Sequence, residues 1–324
     1  MAWPRRSLAL GVSAAIIGFL GSGGFQATAA LFTDSEVVPG TFTTATCFPE
    51  AIAPTISRRV VSKTTPYLAG SVRQGGTYYV YAEATDAGCG VATVRADVSS
   101  VTTGQTSVAL VAGTYSAGGV AYSYRSAALT ANAVLSEGSK AYTVSATDNA
   151  SNVASAPFSV TVDNTGPTAT DVQAVNRSAT VGKPEAGDSI TLSFSEIIDP
   201  ESVLVGWTGV SSDVVVRITH NLTGDVLTIR DSANTAQLPL GSVTLAGTEY
   251  VSTTRDFGAS GTKSSMTATG TTLVLTLGTP SGTTGTQLVG GAMVWAPSAS
   301  ATDGAGNACQ TTSATESGLL DVEF

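Results

Sequence analysis

From residue 77 onward the chain is written in period two. In TYYVYAEATD, Tyr78, Val80, Ala82 and Ala84 fall on one side, and Thr77, Tyr79, Tyr81 and Glu83 on the other. KAYTVSATD repeats the scheme with Tyr142, Val144 and Ala146, and PFSVTVD with Phe158, Val160 and Val162. Such alternation marks strands with one face in a core and one in water. The DNASN cluster between the last two runs predicts a hairpin turn. Roughly five to seven runs of this kind in about a hundred residues predict a β-sandwich.

The pattern stops at VDNTGPTATDV, where Gly166-Pro167 breaks any strand and marks a linker. It restarts with ITLSFSE, whose Ile190, Leu192 and Phe194 face inward, and runs through VVVRITH, DVLTIRD, GSVTLAG and TLVLTLG to AMVWAPSASATDGAGNAC. Stretches rich in Thr, Ser and Gly predict loops from Ser252 to Gly270 and from Thr279 to Gly291. Two similar decapeptides, SATDNASNVA around Asp148 and SATDGAGNAC around Asp303, each precede the closing strand of their half. They read as an internal repeat of architecture, hence as two modules.

Composition agrees. The chain is 42% hydrophobic but only 12% charged, against about 25% in an ordinary soluble domain. It lacks the Lys, Glu and Arg needed to coat helices, and its Thr and Val suit half-buried strands. The expected fold is all-β, two tandem immunoglobulin-like β-sandwiches: a leader over 1–29, a flexible segment over 30–53, a first sandwich over 54–165 and a larger second one over 166–324. The net charge is −9, and the first thirty residues hold Arg5 and Arg6 and no acid, so the remainder carries −11. That excludes nucleic acid and anionic membrane surfaces as partners, since both require basic patches.

The leader has a basic start, MAWPRR, an apolar run over 8–20 and an A-x-A site at Ala27-Thr28-Ala29. The run is too short for a membrane span, so a secreted chain with no span after cleavage is expected. Phe32-Thr33-Asp34 and Thr41-Phe42-Thr43 follow. This region, about residues 1–46, resembles leaders cut by the W-type signal peptidase, the TasA/camelysin family. The A-T-D strand end, the A-S-N turn and V-D-N-T-G-P over 145–167 resemble immunoglobulin-like domains of secreted actinobacterial proteins. Phe194-Ser195-Glu196-Ile197-Ile198-Asp199-Pro200 is similar to a motif of related bacterial modules. These resemblances imply a structural or adhesive, non-enzymatic surface or matrix protein.

Candidate chemistry is sparse. Asp148 and Asn152, and again Asp303 and Asn307, stand where positions 1 and 5 of a calcium loop would be. Position 3 is Ala150 in one copy and Ala305 in the other, so a turn accounts for both better than a metal. Asp163 lies at the far end of the closing strand from Asp148, which argues against a site shared between them. The one histidine, His220, is placed at a surface hairpin, and no G-x-S-x-G elbow accompanies it. Glu196, Asp199 and Glu201 form an acidic cluster read as a strand ending in a turn, with Pro200 as the breaker. A glycosidase pair there would want aromatic cleft walls, and the chain is 6% aromatic. Trp207 and Trp295 lie in core-like patterns.

Three cysteines in an oxidising compartment cannot all pair within one chain. Cys47 stands before the first strand and Cys89 in the following loop region, so Cys47–Cys89 is the candidate disulfide and Cys309 is left over. No cofactor is expected. Expected partners are a second copy in a fibre or matrix, or a cell-surface glycan or protein. The alternative function is carbohydrate or protein binding through the two loops of the second module, and a more distant one is a secreted hydrolase.

Overall fold

The computed structural model describes residues 50–63, 67–318 and 322–324. The leader and Cys47 lie outside the described residues.

The first sheet is built from β1 (Thr55–Ser62), β2 (Ser71–Val72), β3 (Thr77–Thr85), β4 (Val91–Asp97), β5 (Val108–Ala117), β6 (Val120–Ser126), β7 (Leu129–Thr130), β8 (Gly138–Asp148) and β9 (Val153–Val162). Its order is β1-β3-β6-β5-β4-β8-β9-β2, with β7 beside β3. Pairing is antiparallel except for the closing pair, where β2 runs parallel to β9. β1 returns against β9, so the sheet nearly closes on itself. Alternation works as the pattern requires: Tyr78, Val80 and Ala82 are fully buried with Val144 and Ala146. Tyr81 departs from it. This outward residue is also buried, because Tyr122 packs on it at 5.7 Å beside Ala117. Both come from the β5–β6 hairpin, whose register shifts between Ala112 and Tyr115; such a bulge re-aims the side chains beyond it.

The second sheet uses β10 (Ala169–Val175), β11 (Ser189–Phe194), β12 (Ser212–Thr219), β13 (Val226–Asp231), β14 (Gln237–Thr244), β15 (Arg255–Phe257), β16 (Ser264–Thr269), β17 (Thr272–Thr276), β18 (Val294–Ala296) and β19 (Ala314–Thr315). Its order is β10-β11-β17-β16-β12-β13-β14-β18-β19, with β15 beside β12 and β10 returning against β19. The protein is therefore two mostly antiparallel β-sheet domains, each nearly closed into a barrel. The two orders coincide if β13 and β14 are removed from the second. The first domain reads β1-β3-β6-β5-β4-β8-β9 and the second β10-β11-β17-β16-β12-…-β18-β19. The larger size of the second domain comes largely from this inserted hairpin.

Two local expectations change. Pro200 does not simply end a strand. It opens a one-turn helix, α1 (Pro200–Val203), with Asp199 as its N-cap, since proline's fixed φ and missing N–H suit the first helical position. The Thr- and Ser-rich stretch from Ser252 is not one loop, because β15 and β16 lie in it and Met266 points into the core. Threonine serves a half-buried strand as readily as a loop. Trp207 and Trp295 are both buried. Trp295 meets Phe194 edge-on at 4.8 Å and donates its indole N–H to the carbonyl of Leu240, so its one polar atom is satisfied in the core.

The domains are tightly joined. Lys63, just past β1, places Nζ 2.9 Å from Asp199 Oδ2 and donates to Asp303 O and Thr302 Oγ1 in the second domain. The Gln310 N–H bonds to Pro167 O at 2.7 Å. Gly166 lies so close to Ala308 that a Cβ there would be 2.1 Å from its carbonyl oxygen.

Candidate functional site

Two features stand out: an open cleft in the second domain and a duplicated group of carboxylates. The cleft has a volume of about 490 Å³ and is lined by His220, Thr248, Glu249, Val251, Ser252, Arg255 and residues 283–285. Asp225 holds its floor. This fully buried carboxylate accepts from the N–H groups of Asn221 and Val251 and sits 3.1 Å from His220 Nδ1. Arg255 ties the walls together, donating to Thr283 O on one side and to Thr253 Oγ1 and Thr254 O on the other. Tyr250 lies beneath, edge-on to Phe324 at 5.7 Å, and burial pushes its hydroxyl pKa up. The lining is mixed: Thr248, Glu249, Ser252, Arg255 and Thr283 bring hydroxyl, carboxylate and guanidinium groups, and about half of the exposed lining is apolar, a combination suited to a ligand with both hydrogen-bonding and apolar faces.

His220 is half-buried, not a free surface residue, with 34% of its side chain exposed. Its Nδ1 lies 3.1 Å from the buried Asp225 carboxylate, which orients the ring. Among the described residues no serine or threonine hydroxyl hydrogen-bonds to the imidazole. The cleft draws on both predicted loops through Ser252, Arg255 and residues 283–285. Thr248 and Glu249 had no sequence signal, because they reach the cleft only through the fold of β14 and the inserted hairpin.

The repeated decapeptides form the same structure twice. Asp148 Oδ1 accepts from the N–H groups of Ala150 and Asn152, and Oδ2 from Asn152 Nδ2. Asp303 does the same with Gly306 and Asn307. Each asparagine then reaches back to the chain entering its own domain: Asn152 to Glu50 O at 3.2 Å, Asn307 to Asp163 O at 2.9 Å. Glu50 and Asp163 each stand four residues before a Pro-Thr pair. A third acid follows the second long strand of each domain, Asp86 after β3 and Glu196 after β11. Glu50, Asp86 and Asp148 thus converge, as do Asp163, Glu196 and Asp303, with one oxygen of each residue within 4.8 Å of the others in its group. Asp163 does not join Asp148; it meets the equivalent aspartate of the next domain.

The electrostatics of the two groups differ. Burial raises the Asp148 carboxyl, but the Asn152 amide and the backbone N–H groups of Asn152, Ala150 and Ser151 outweigh it, and the net direction is down. Glu196 is pushed up to about 7, first by burial and then by Asp163, Asp303 and Glu137. Asp163 is raised by burial, partly offset by the Thr165 N–H, with Asp303 and Glu137 adding to the rise. The acids of FSEIIDPES are divided: Glu196 belongs to the carboxylate group, Asp199 turns to Lys63, and Glu201 lies in the first turn of α1.

The Cys89 carbonyl accepts from Asn149 Nδ2 at 2.7 Å, holding its loop to the Asp148 turn. Cys309 is buried in the second core and forms no disulfide among the described residues. Burial, then Glu196, pushes its thiol up to about 11.

No family model matches the chain, and no curated protein does. Its strand order gives two mostly antiparallel β-sheet domains, an arrangement consistent with tandem β-sandwiches. Among solved structures it is similar to one described under carbohydrate-binding modules of the β-sandwich superfamily. The identity is 13%, covering 71% of this chain and 86% of that chain, with a TM-score of 0.23. Among the described residues no helix is long and apolar enough to cross a membrane.

Proposed function

We propose that this is an exported, non-enzymatic binding protein, and that the cleft of the second domain takes a carbohydrate presented at a cell surface. The observation that carries the reading is the cleft itself: Thr248, Glu249, Ser252, Arg255 and Thr283 line one open space beside Val251. Sugars present closely spaced hydroxyls that both donate and accept, and such a lining matches them. A rigid sandwich carrying recognition on its loops is a common solution to this task. The basic and apolar leader supports export.

Both domains are proposed to be immunoglobulin-like. In the first, β1-β3-β6-β5 and β4-β8-β9 follow the ABED and CFG order of that fold. A disulfide between Cys47 and Cys89 is proposed to pin the incoming segment to the loop after β3; peptide mapping without reduction tests it.

The test of the function is a glycan array followed by calorimetry with the best ligand. Thr283→Ala and Glu249→Gln change the exposed lining and are expected to weaken binding at least tenfold. Absence of glycan binding, or affinity untouched by both changes, would overturn the proposal.

A further inference from the structure

We infer that the two carboxylate groups are divalent-cation sites of the calcium class, one holding the incoming segment to the first domain and one at the joint between the domains. The first observation is convergence. Each group draws its acids from three separate places: the incoming chain, the loop after the second long strand, and the turn before the closing strand. The second observation points to a missing ligand. Glu50 Oε2 and Asp86 Oδ1 in one group, and Glu196 Oε1 in the other, are sealed from solvent and accept no hydrogen bond. A buried carboxylate oxygen with no donor is costly, and buried polar atoms in folded proteins almost always have a partner. Among the described residues none of the six carboxylates forms an ion pair; Lys63, the nearest ammonium at the joint, is committed to Asp199.

The third observation is recurrence. Different local sequences, E-A-I-A-P-T and D-N-T-G-P-T, deliver an acid to the same place, and in both domains an asparagine amide locks the incoming carbonyl to the turn aspartate. At the first site Gly88 leaves the room, because a Cβ there would lie 2.0 Å from the Glu50 carboxylate. The chemistry selects the ion. Oxygen-only, anionic ligands suit a hard cation; the carboxylate oxygens not taken up by the turn N–H groups supply part of the sphere, leaving water to complete it. The oxygens of each group lie within 4.8 Å of one another, and acids delivered from three separate places suit calcium's flexible sphere better than the near-ideal octahedron that magnesium demands.

The test uses the full secreted chain, stripped with EDTA and titrated with calcium chloride by calorimetry, with circular dichroism to check the fold. Two bound ions per chain are expected, with dissociation constants of about 1 mM or tighter. Asp86→Asn should remove the first ion and keep the second; Glu196→Gln should do the reverse; the double variant should bind none. Should Asp86→Asn fail to fold, Glu50→Gln takes its place. Magnesium should bind at least tenfold more weakly. A folded wild-type chain that binds no calcium at 5 mM, variants that retain both ions, or magnesium competing equally would each overturn the inference.

Discussion

Replacing Lys63 with methionine would test how firmly the two domains are joined. The change keeps most of the aliphatic stem and removes the ammonium. That ammonium serves three acceptors in the second domain: Asp199 Oδ2 at 2.9 Å, Asp303 O at 2.7 Å and Thr302 Oγ1 at 3.1 Å. The Asp199 side chain is 2% exposed and that of Lys63 17%. Breaking a buried pair by removing one partner costs about 3–5 kcal/mol. Here the orphaned carboxylate keeps the Glu201 N–H at 3.2 Å, and lysine is partly hydrated, so about 2–3 kcal/mol is expected. Both tryptophans outside the leader, Trp207 and Trp295, lie in the second domain. Urea unfolding followed by tryptophan fluorescence therefore reports on that domain, while far-ultraviolet dichroism reports on both. The wild-type curves should coincide and the Lys63→Met curves should separate. A double-mutant cycle with Asp199→Asn should return a coupling of at least ~1.5 kcal/mol. Coincident curves shifted by less than ~0.5 kcal/mol, or zero coupling, would refute the reasoning.

Glu196 titrates near 7 in the folded chain against an ordinary 4.5, so the folded state holds the extra proton between those values and calcium-free stability falls as pH rises from about 4.5 to about 7. At ~1.4 kcal/mol per unit the ceiling is about 3.5 kcal/mol, and partial solvation reduces it to roughly 1–2; Glu196→Gln should flatten this slope in urea titrations with EDTA, and an unchanged slope would contradict the assignment. Asp225→Ala strands the Asn221 and Val251 N–H groups and should cost about 3 kcal/mol, seen as a melting point several degrees lower together with loss of glycan binding; an unchanged melt would show that the cleft floor needs no such pin. Gly166→Ala puts a Cβ against Ala308 O and should lower the melting point by several degrees, for about 2 kcal/mol; an equal or higher melting point would mean that the joint yields.

What could be read along the chain was whatever depends on neighbours. Tyr78, Val80 and Ala82 announce a strand because period two is local, and the paired decapeptides announce two modules because both copies sit in the connection before the closing strand. The inserted β13–β14 hairpin looks like any other pair of alternating runs, and only pairing shows that it interrupts an order shared with the first domain. The carboxylate sites were illegible for a related reason. Within one turn the pattern of a calcium loop fails, because Ala150 and Ala305 occupy the position of a ligand, and Asp163 and Asp148 lie at opposite ends of one strand. The further acids come from Glu50 and Asp86, or from Asp163 and Glu196, brought in by the chain entering each domain and by a distant loop. Tyr81 shows the same limit, since its outward face is covered by a hairpin some forty residues away.

The parallel pairing of β2 with β9 has a mechanical consequence. The first domain hangs between what precedes β1 and the linker that leaves β9. Tension along the chain draws β2 toward one end and β9 toward the other. Because the two run in the same direction, they are loaded in shear. The bonds from Thr161 N to Gly70 O and from Asp163 N to Val72 O, 3.0 and 2.9 Å long, then carry the load together and do not open one after another like a zip. A first domain pulled through its own backbone would meet a shear-loaded clamp at this short strand.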